Sequence, residues 1–195
     1  MTIALLIGRF QPFHFGHLNA VQNILKSYDA LIIIIGSANK SCELKNPFSV
    51  KERMSMITNT LNYYGIDQSK YELKSVDDFN DDELWFSSIK KTVVNFDVVF
   101  SNDSLTLRIF ENHSIPIKKI TLFNRNIYSA TEIRGRLFAH IKKTSCPDWK
   151  IITPPPVTKL LSKMNYEKLF NQIIDKYSES DIHNGLYPEF KYLKS

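Results

Sequence analysis

Two uninterrupted aliphatic runs, residues 2–7 and 31–35, are each followed by a glycine, Gly8 and Gly36. Runs without polar alternation suit strands buried on both faces, as in a parallel sheet. Weaker strand patterns cover 71–76, 98–101 and 119–123, and apolar residues recur at helical spacing over about 17–27, 50–63, 82–95, 104–112 and 130–140. This alternation predicts βαβ units. The expected fold is α/β: a Rossmann-like, doubly wound parallel sheet of about five strands with helices on both faces, plus C-terminal helices. In such sheets ligands bind at the carboxyl ends of the strands, where the strand order reverses.

Local signals refine the boundaries. Ser49 with Glu52, and Ser129 with Glu132, both read as capping boxes that start helices. Three prolines, Pro154 to Pro156, stiffen the chain ahead of an amphipathic stretch over 157–177. The reading is one α/β domain over 1–150, a helical extension of it over 151–177, and a tail over 178–195. The tail is either a packing arm at a subunit contact or a frayed terminus.

Composition narrows the chemistry. The 195 residues, 43% hydrophobic and 23% charged, suit one domain with a proper core, excluding a disordered chain or a stapled mini-protein. Cys42 and Cys146 have no metal-ligand spacing and read as two lone thiols rather than a disulfide. No basic segment precedes the N-terminal apolar run, and the run at 31–35 is far below the ~18 residues a membrane helix needs. A soluble, cytoplasmic protein is expected, with no membrane partner. The formal charge of +5 is mild and calls for anionic substrates more than for nucleic acid. Only 6 residues are glycine, and neither standard glycine-rich phosphate loop is present. Any phosphate must be held by side chains and helix N-termini.

Such a site is written at residues 8–18, GRFQPFHFGHL, directly after the first strand and opening a helix. A helix N-terminus presents unpaired N–H groups and partial positive charge to an anion. Gly16 is expected to let the backbone approach a phosphate, while His14 and His17 donate hydrogen bonds and Arg9 adds a cationic fork. Metal binding by the two histidines competes weakly, because no third ligand lies near in sequence; no protein-held metal site is expected.

The same segment resembles the H-x-G-H signature of the nucleotidyltransferase superfamily. In detail it is similar to the archaeal-type nicotinamide mononucleotide adenylyltransferases. Residues 35–38 (IGSA), 44–48 (LKNPF) with Glu52 and Arg53, Leu84-Trp85, and 128–134 (YSATEIR) extend the likeness over about residues 2–140. The resemblance implies transfer of AMP from ATP to nicotinamide mononucleotide, giving NAD and pyrophosphate by direct in-line attack. The nucleophile is already an anion, so the enzyme needs positioning and charge stabilisation rather than a general base.

Several roles follow from the resemblance. His14 and His17 contact ATP around the α-phosphate, with Gly8, Arg9, Phe10 and Gly16 beside them. Ser129, Thr131 and Arg134 hold the β- and γ-phosphates, and Asp103 lies on the adenine side. Ser37, Lys45, Asp82 and Trp85 bind the mononucleotide, Trp85 stacking on the nicotinamide. His14, His17, Arg134 and Lys45 are the catalytic candidates. Mg2+ is expected to ride on the ATP phosphates, and the family tends to form homo-oligomers.

Two departures stand out. Asp82 replaces a frequent asparagine and should favour the amide over the acid mononucleotide. Asn102 stands where relatives often carry glycine, and is expected to take up its left-handed backbone. Alternatives are another H-x-G-H enzyme, either a phosphopantetheine adenylyltransferase or a small-alcohol-phosphate cytidylyltransferase, or a non-catalytic nucleotide- or RNA-binding regulator on the same fold.

Overall fold

A computed structural model describes residues 1–121, 124 and 126–193. Strand β1 (Ile3–Gly8) leads to α1 (Phe15–Leu25), β2 (Ala30–Ile35), α2 (Val50–Tyr63) and β3 (Tyr71–Ser75). Next come α3 (Asp82–Thr92), β4 (Val98–Phe100), α4 (Ser104–Asn112), β5 (Ile117–Lys118) and α5 (Ala130–Ile141). The chain then continues through α6 (Pro155–Lys163), α7 (Tyr166–Ile174) and the short α8 (Glu179–His183).

All strand pairs are parallel, in the order β3-β2-β1-β4-β5. The order reverses between β1 and β4, which opens a crevice at the carboxyl ends of those two strands. Alternate residues of β1 feed two separate cores, which is why its sequence is aliphatic throughout. Ala4 and Leu6 join Leu18, Ile57, Leu137, Leu161 and Phe170 on one face. Leu5 and Ile7 join Ile89 and Phe110 on the other.

Three expectations shift. The fifth strand is Ile117–Lys118; residues 119–121 carry no strand, and 122 and 123 lie outside the described residues. The stretch 157–177 is two helices, because the Asn165 side chain caps α7 by accepting from the Lys168 N–H at 3.2 Å. The described residues of the tail are packed: Phe190 is fully buried and Leu193 nearly so, both within the same core as the sheet. Among the described residues no helix is long and apolar enough to cross a membrane, and both cysteines are free.

Candidate active site

The carboxyl end of β1 turns at Gly8 and runs through Arg9 to His14, the N-cap of α1. Phe10 holds a left-handed φ of 53° and is buried. Such strain in a non-glycine residue persists only where the surroundings over-determine it. Gly8 makes room for the Phe10 ring, which would lie 2.9 Å from a Cβ there. That ring meets His17 edge-on at 4.8 Å between centroids, while His14 stacks on His17 at 3.6 Å.

Gly16 makes room for a neighbouring ring. A Cβ at that position would lie 2.9 Å from the His14 ring and 3.3 Å from the Tyr128 carbonyl oxygen. Its missing side chain therefore admits the His14 imidazole, and Gly16 also lines the cavity at the start of α1.

Both imidazoles are neutral near pH 7. Burial pulls His17 from its usual 6.5 to about 3. Burial also holds His14 well below that value, helped by His17 and Arg134. Two imidazolium rings stacked at this distance would repel strongly. The His14 backbone N–H donates to His17 Nδ1 at 3.3 Å, leaving the proton of His17 on Nε2. The pair is thus a source of neutral N–H donors, not of fixed cations.

Positive charge comes from arginines. Arg134, on α5, is buried and donates through Nη1 to the Gln11 carbonyl (2.7 Å) and through Nη2 to Thr131 Oγ1 (3.2 Å). Arg53, wholly buried on α2, reaches the carbonyls of Arg9 (2.9 Å), Gly36 (2.7 Å), Ser37 (2.9 Å) and Ser49 (3.3 Å). It ties together the chain ends leaving β1 and β2, and burial lowers its pKa to about 10, still charged at neutral pH. Gln11 fastens the same loop to Phe48, donating to its carbonyl at 2.8 Å and accepting from its N–H at 2.9 Å.

Two cavities meet at this crevice. One, of about 350 Å³, is lined by Gly8, Arg9, Phe10, His14, Gly16, His17, Asp103, Ser129, Thr131 and Arg134. The other, of about 690 Å³, is lined by Arg9, Ser37, Lys45, Asp82, Trp85 and Asp103. Gly8, Arg9 and Asp103 border both.

Within the second cavity, Trp85 is half-buried with its ring edge-on to Phe110, Lys45 is exposed, and Asp82 pairs with Arg108 at 3.1 Å. The Ser37 hydroxyl is engaged by Asp78 (2.9 Å), which also pairs with Lys40 (2.9 Å). The acidic run 77–83 is therefore partly tied down rather than merely solvated.

Caps hold the remaining pieces. Asp103 caps α4, accepting from the Thr106 N–H at 2.9 Å. Asn102 does not take the left-handed backbone expected of it. Its amide instead donates to the Ile120 carbonyl and accepts from the Ile120 N–H, both at 3.0 Å. Ser129 caps α5 through the Glu132 N–H at 3.2 Å, but the reciprocal half of the capping box is not made. The Glu132 carboxylate is taken by Arg136 (2.8 Å), Tyr192 Oη (2.5 Å) and Lys191. Capping occupies one of the four free N–H groups of the α5 start and leaves others for an anion.

Sequence reasoning missed Gln11, Arg53, Asp78, Tyr177, Tyr187 and Glu189. The first two stand within quoted motifs but carry no local sign of their bonds. Tyr177 and Tyr187 line the second cavity from the C-terminal region, which has no pattern that announces it.

Known proteins place this geometry. The cytidylyltransferase-like family matches residues 5–136. The nicotinamide-nucleotide adenylyltransferase of Methanococcus aeolicus is 36% identical over 170 residues, 87% of this chain and 94% of its own. The chain belongs to this family of nucleotidyltransferases. The nicotinamide-nucleotide adenylyltransferase of Thermococcus sibiricus is 35% identical, covering 82% of this chain and 83% of its own. Among solved structures, the bifunctional NMN adenylyltransferase/ADP ribose pyrophosphatase of Francisella tularensis, complexed with AMP and a manganese ion, superposes with a TM-score of 0.67 at 26% identity. That match covers 87% of this chain and 52% of the other, so the chain spans about half of the bifunctional protein. The family's nucleotide chemistry accounts for a crevice of neutral imidazoles and buried arginines beside two abutting cavities.

Proposed function

We propose that the protein joins ATP and nicotinamide mononucleotide into NAD, releasing pyrophosphate, by direct in-line attack of the mononucleotide phosphate on the α-phosphate of ATP. The observation that carries this reading is the pair of cavities sharing Gly8, Arg9 and Asp103. Two anionic substrates held on either side of that border would meet there. ATP occupies the cavity of His14, His17, Ser129, Thr131 and Arg134; the mononucleotide occupies that of Ser37, Lys45, Asp82 and Trp85.

Each group has a physical task. The neutral N–H donors of His14 and His17 stabilise charge building at the α-phosphate, with no proton to move on or off the nucleophile. Arg134 and the α5 N-terminus receive the leaving pyrophosphate. Arg9, at the shared border, screens the repulsion between the two phosphates as they approach. Asp103 is the one carboxylate in the lining of the first cavity, and no cluster of three or more metal-ligating side chains occurs among the described residues. That donor set fits Mg2+ carried in on the ATP phosphates and water, where it would neutralise charge on the pyrophosphate.

Asp82 sets the choice of mononucleotide. Its carboxylate can accept from the carboxamide NH2 of the nicotinamide and repels a nicotinate carboxylate. The test is pyrophosphate release with ATP, Mg2+ and each candidate phosphate acceptor. Turnover should appear with nicotinamide mononucleotide, at a kcat/KM above that for the acid form. Equal or better use of nicotinate mononucleotide overturns the role of Asp82. No release with either would leave a nucleotide-binding regulator as the reading.

A further inference from the structure

The C-terminal segment, silent in sequence, reaches Arg134 in the wall of the cavity proposed for ATP. Glu189 lies in the 3-10 turn Pro188–Phe190 and is 1% exposed. Its Oε1 accepts from Arg134 Nη2 at 2.6 Å, across 55 positions of chain. The contacts of the guanidinium thus come from three places: the Gln11 carbonyl after β1, Thr131 at the start of α5, and Glu189 in the tail. Arg134 Nε is buried with no partner. A buried guanidinium without its carboxylate would lose compensation for its desolvation and swing toward water.

The segment that delivers Glu189 is itself fixed to α5. Phe190 is fully buried and packs edge-on against Phe138, with ring centroids 5.3 Å apart. Lys191 and Tyr192 donate to the Glu132 carboxylate. Gly135 permits the close approach: a Cβ there would lie 3.3 Å from the Glu189 carbonyl oxygen and 3.5 Å from the Tyr192 ring.

We propose that Glu189 is a positioning residue for adenylyl transfer, holding Arg134 so that its remaining N–H groups face the β- and γ-phosphates of ATP. The proposal rests on the assignment of Arg134 to those phosphates. It has a diagnostic sign. Removing a negative charge beside a phosphate site should, on Coulomb grounds alone, strengthen anion binding. Loss of positioning should weaken it.

Calorimetric binding of ATP, pyrophosphate, AMP and nicotinamide mononucleotide to the wild-type chain and to Glu189→Gln, with Tm for each, tests this. Dissociation constants for ATP and pyrophosphate should rise about tenfold in the variant, the scale of one hydrogen bond to a charged group. Those for AMP and the mononucleotide should stay within about twofold, since neither reaches Arg134. Tyr192→Phe, which removes an uncharged tie on the same segment, should fold and show the same selective loss at about threefold. A lower Tm with all four affinities unchanged makes the pair merely structural. Tighter ATP binding makes Glu189 a brake. Either result overturns the proposal, as does unaltered ATP and pyrophosphate affinity in Tyr192→Phe if Glu189→Gln fails to fold. Unchanged ATP affinity in Arg134→Lys would instead overturn the assignment of Arg134 itself.

Discussion

At the residue scale, the His14–His17 stack reconciles two demands. The proposed site must attract phosphates, yet two stacked histidines, one buried and one partly buried, cannot both carry charge. In the proposed reading the arginines supply the field and the imidazoles supply aimed N–H donors. Loss of such a donor removes an interaction strongest in the transition state, so His17→Asn should lower kcat about 10²-fold. Trp85→Ala, which removes a wall of the cavity proposed for the mononucleotide, should mainly raise KM for the mononucleotide. Steady-state kinetics with each substrate varied checks both; exchanged outcomes would reverse the assigned roles.

The same pair makes stability depend on pH. Both folded pKa values lie below the ordinary 6.5, so the unfolded chain binds protons more readily. Their contribution is whole above pH 6.5 and is lost as the pH falls toward about 3, where His17 titrates in the folded protein. Thermal melts of the ligand-free protein should show Tm falling from pH 6.5 downward. His17→Asn should flatten part of that slope, and an unchanged slope would argue against a buried neutral His17.

At the scale of elements, legibility follows the strength of the pattern. Residues 50–63 and 104–112 are helical as expected, because each has an apolar stripe and a side-chain cap. Strands β1 and β2 were legible because both faces are buried and both sequences are aliphatic throughout. The fifth strand was misplaced because two residues of pairing leave no periodicity to read. The capping box at Ser129 is incomplete for reasons only partly local: Arg136 takes the Glu132 carboxylate from the next turn, and Lys191 and Tyr192 reach it from about 60 positions away. Asn102 likewise answers to Ile120, 18 positions on, and that contact replaces the backbone freedom expected of a glycine substitute. Arg53 shows the same limit. Its four carbonyl partners come from three separate segments, and only the fold brings them together.

At the scale of the molecule, the topology explains the site. Strand order reverses between β1 and β4, and the loops leaving those strands carry Gly8–His14 and Ser101–Asp103. The motif after the first strand marks where this crevice opens. The second cavity was only partly legible, since Tyr177 and Tyr187 join Trp85 and Asp82 from the far end of the chain. The tail is accordingly part of the active site's wall rather than an appendage.

The proposed reaction is a direct transfer between two substrates bound at once in abutting cavities, with no nucleotide carried on the protein. Exchange of labelled pyrophosphate into ATP distinguishes it from a route through the protein. With ATP, Mg2+ and pyrophosphate alone, no label should enter ATP; adding the mononucleotide should start the exchange. Exchange without the mononucleotide would require an adenylyl-enzyme and would contradict the account.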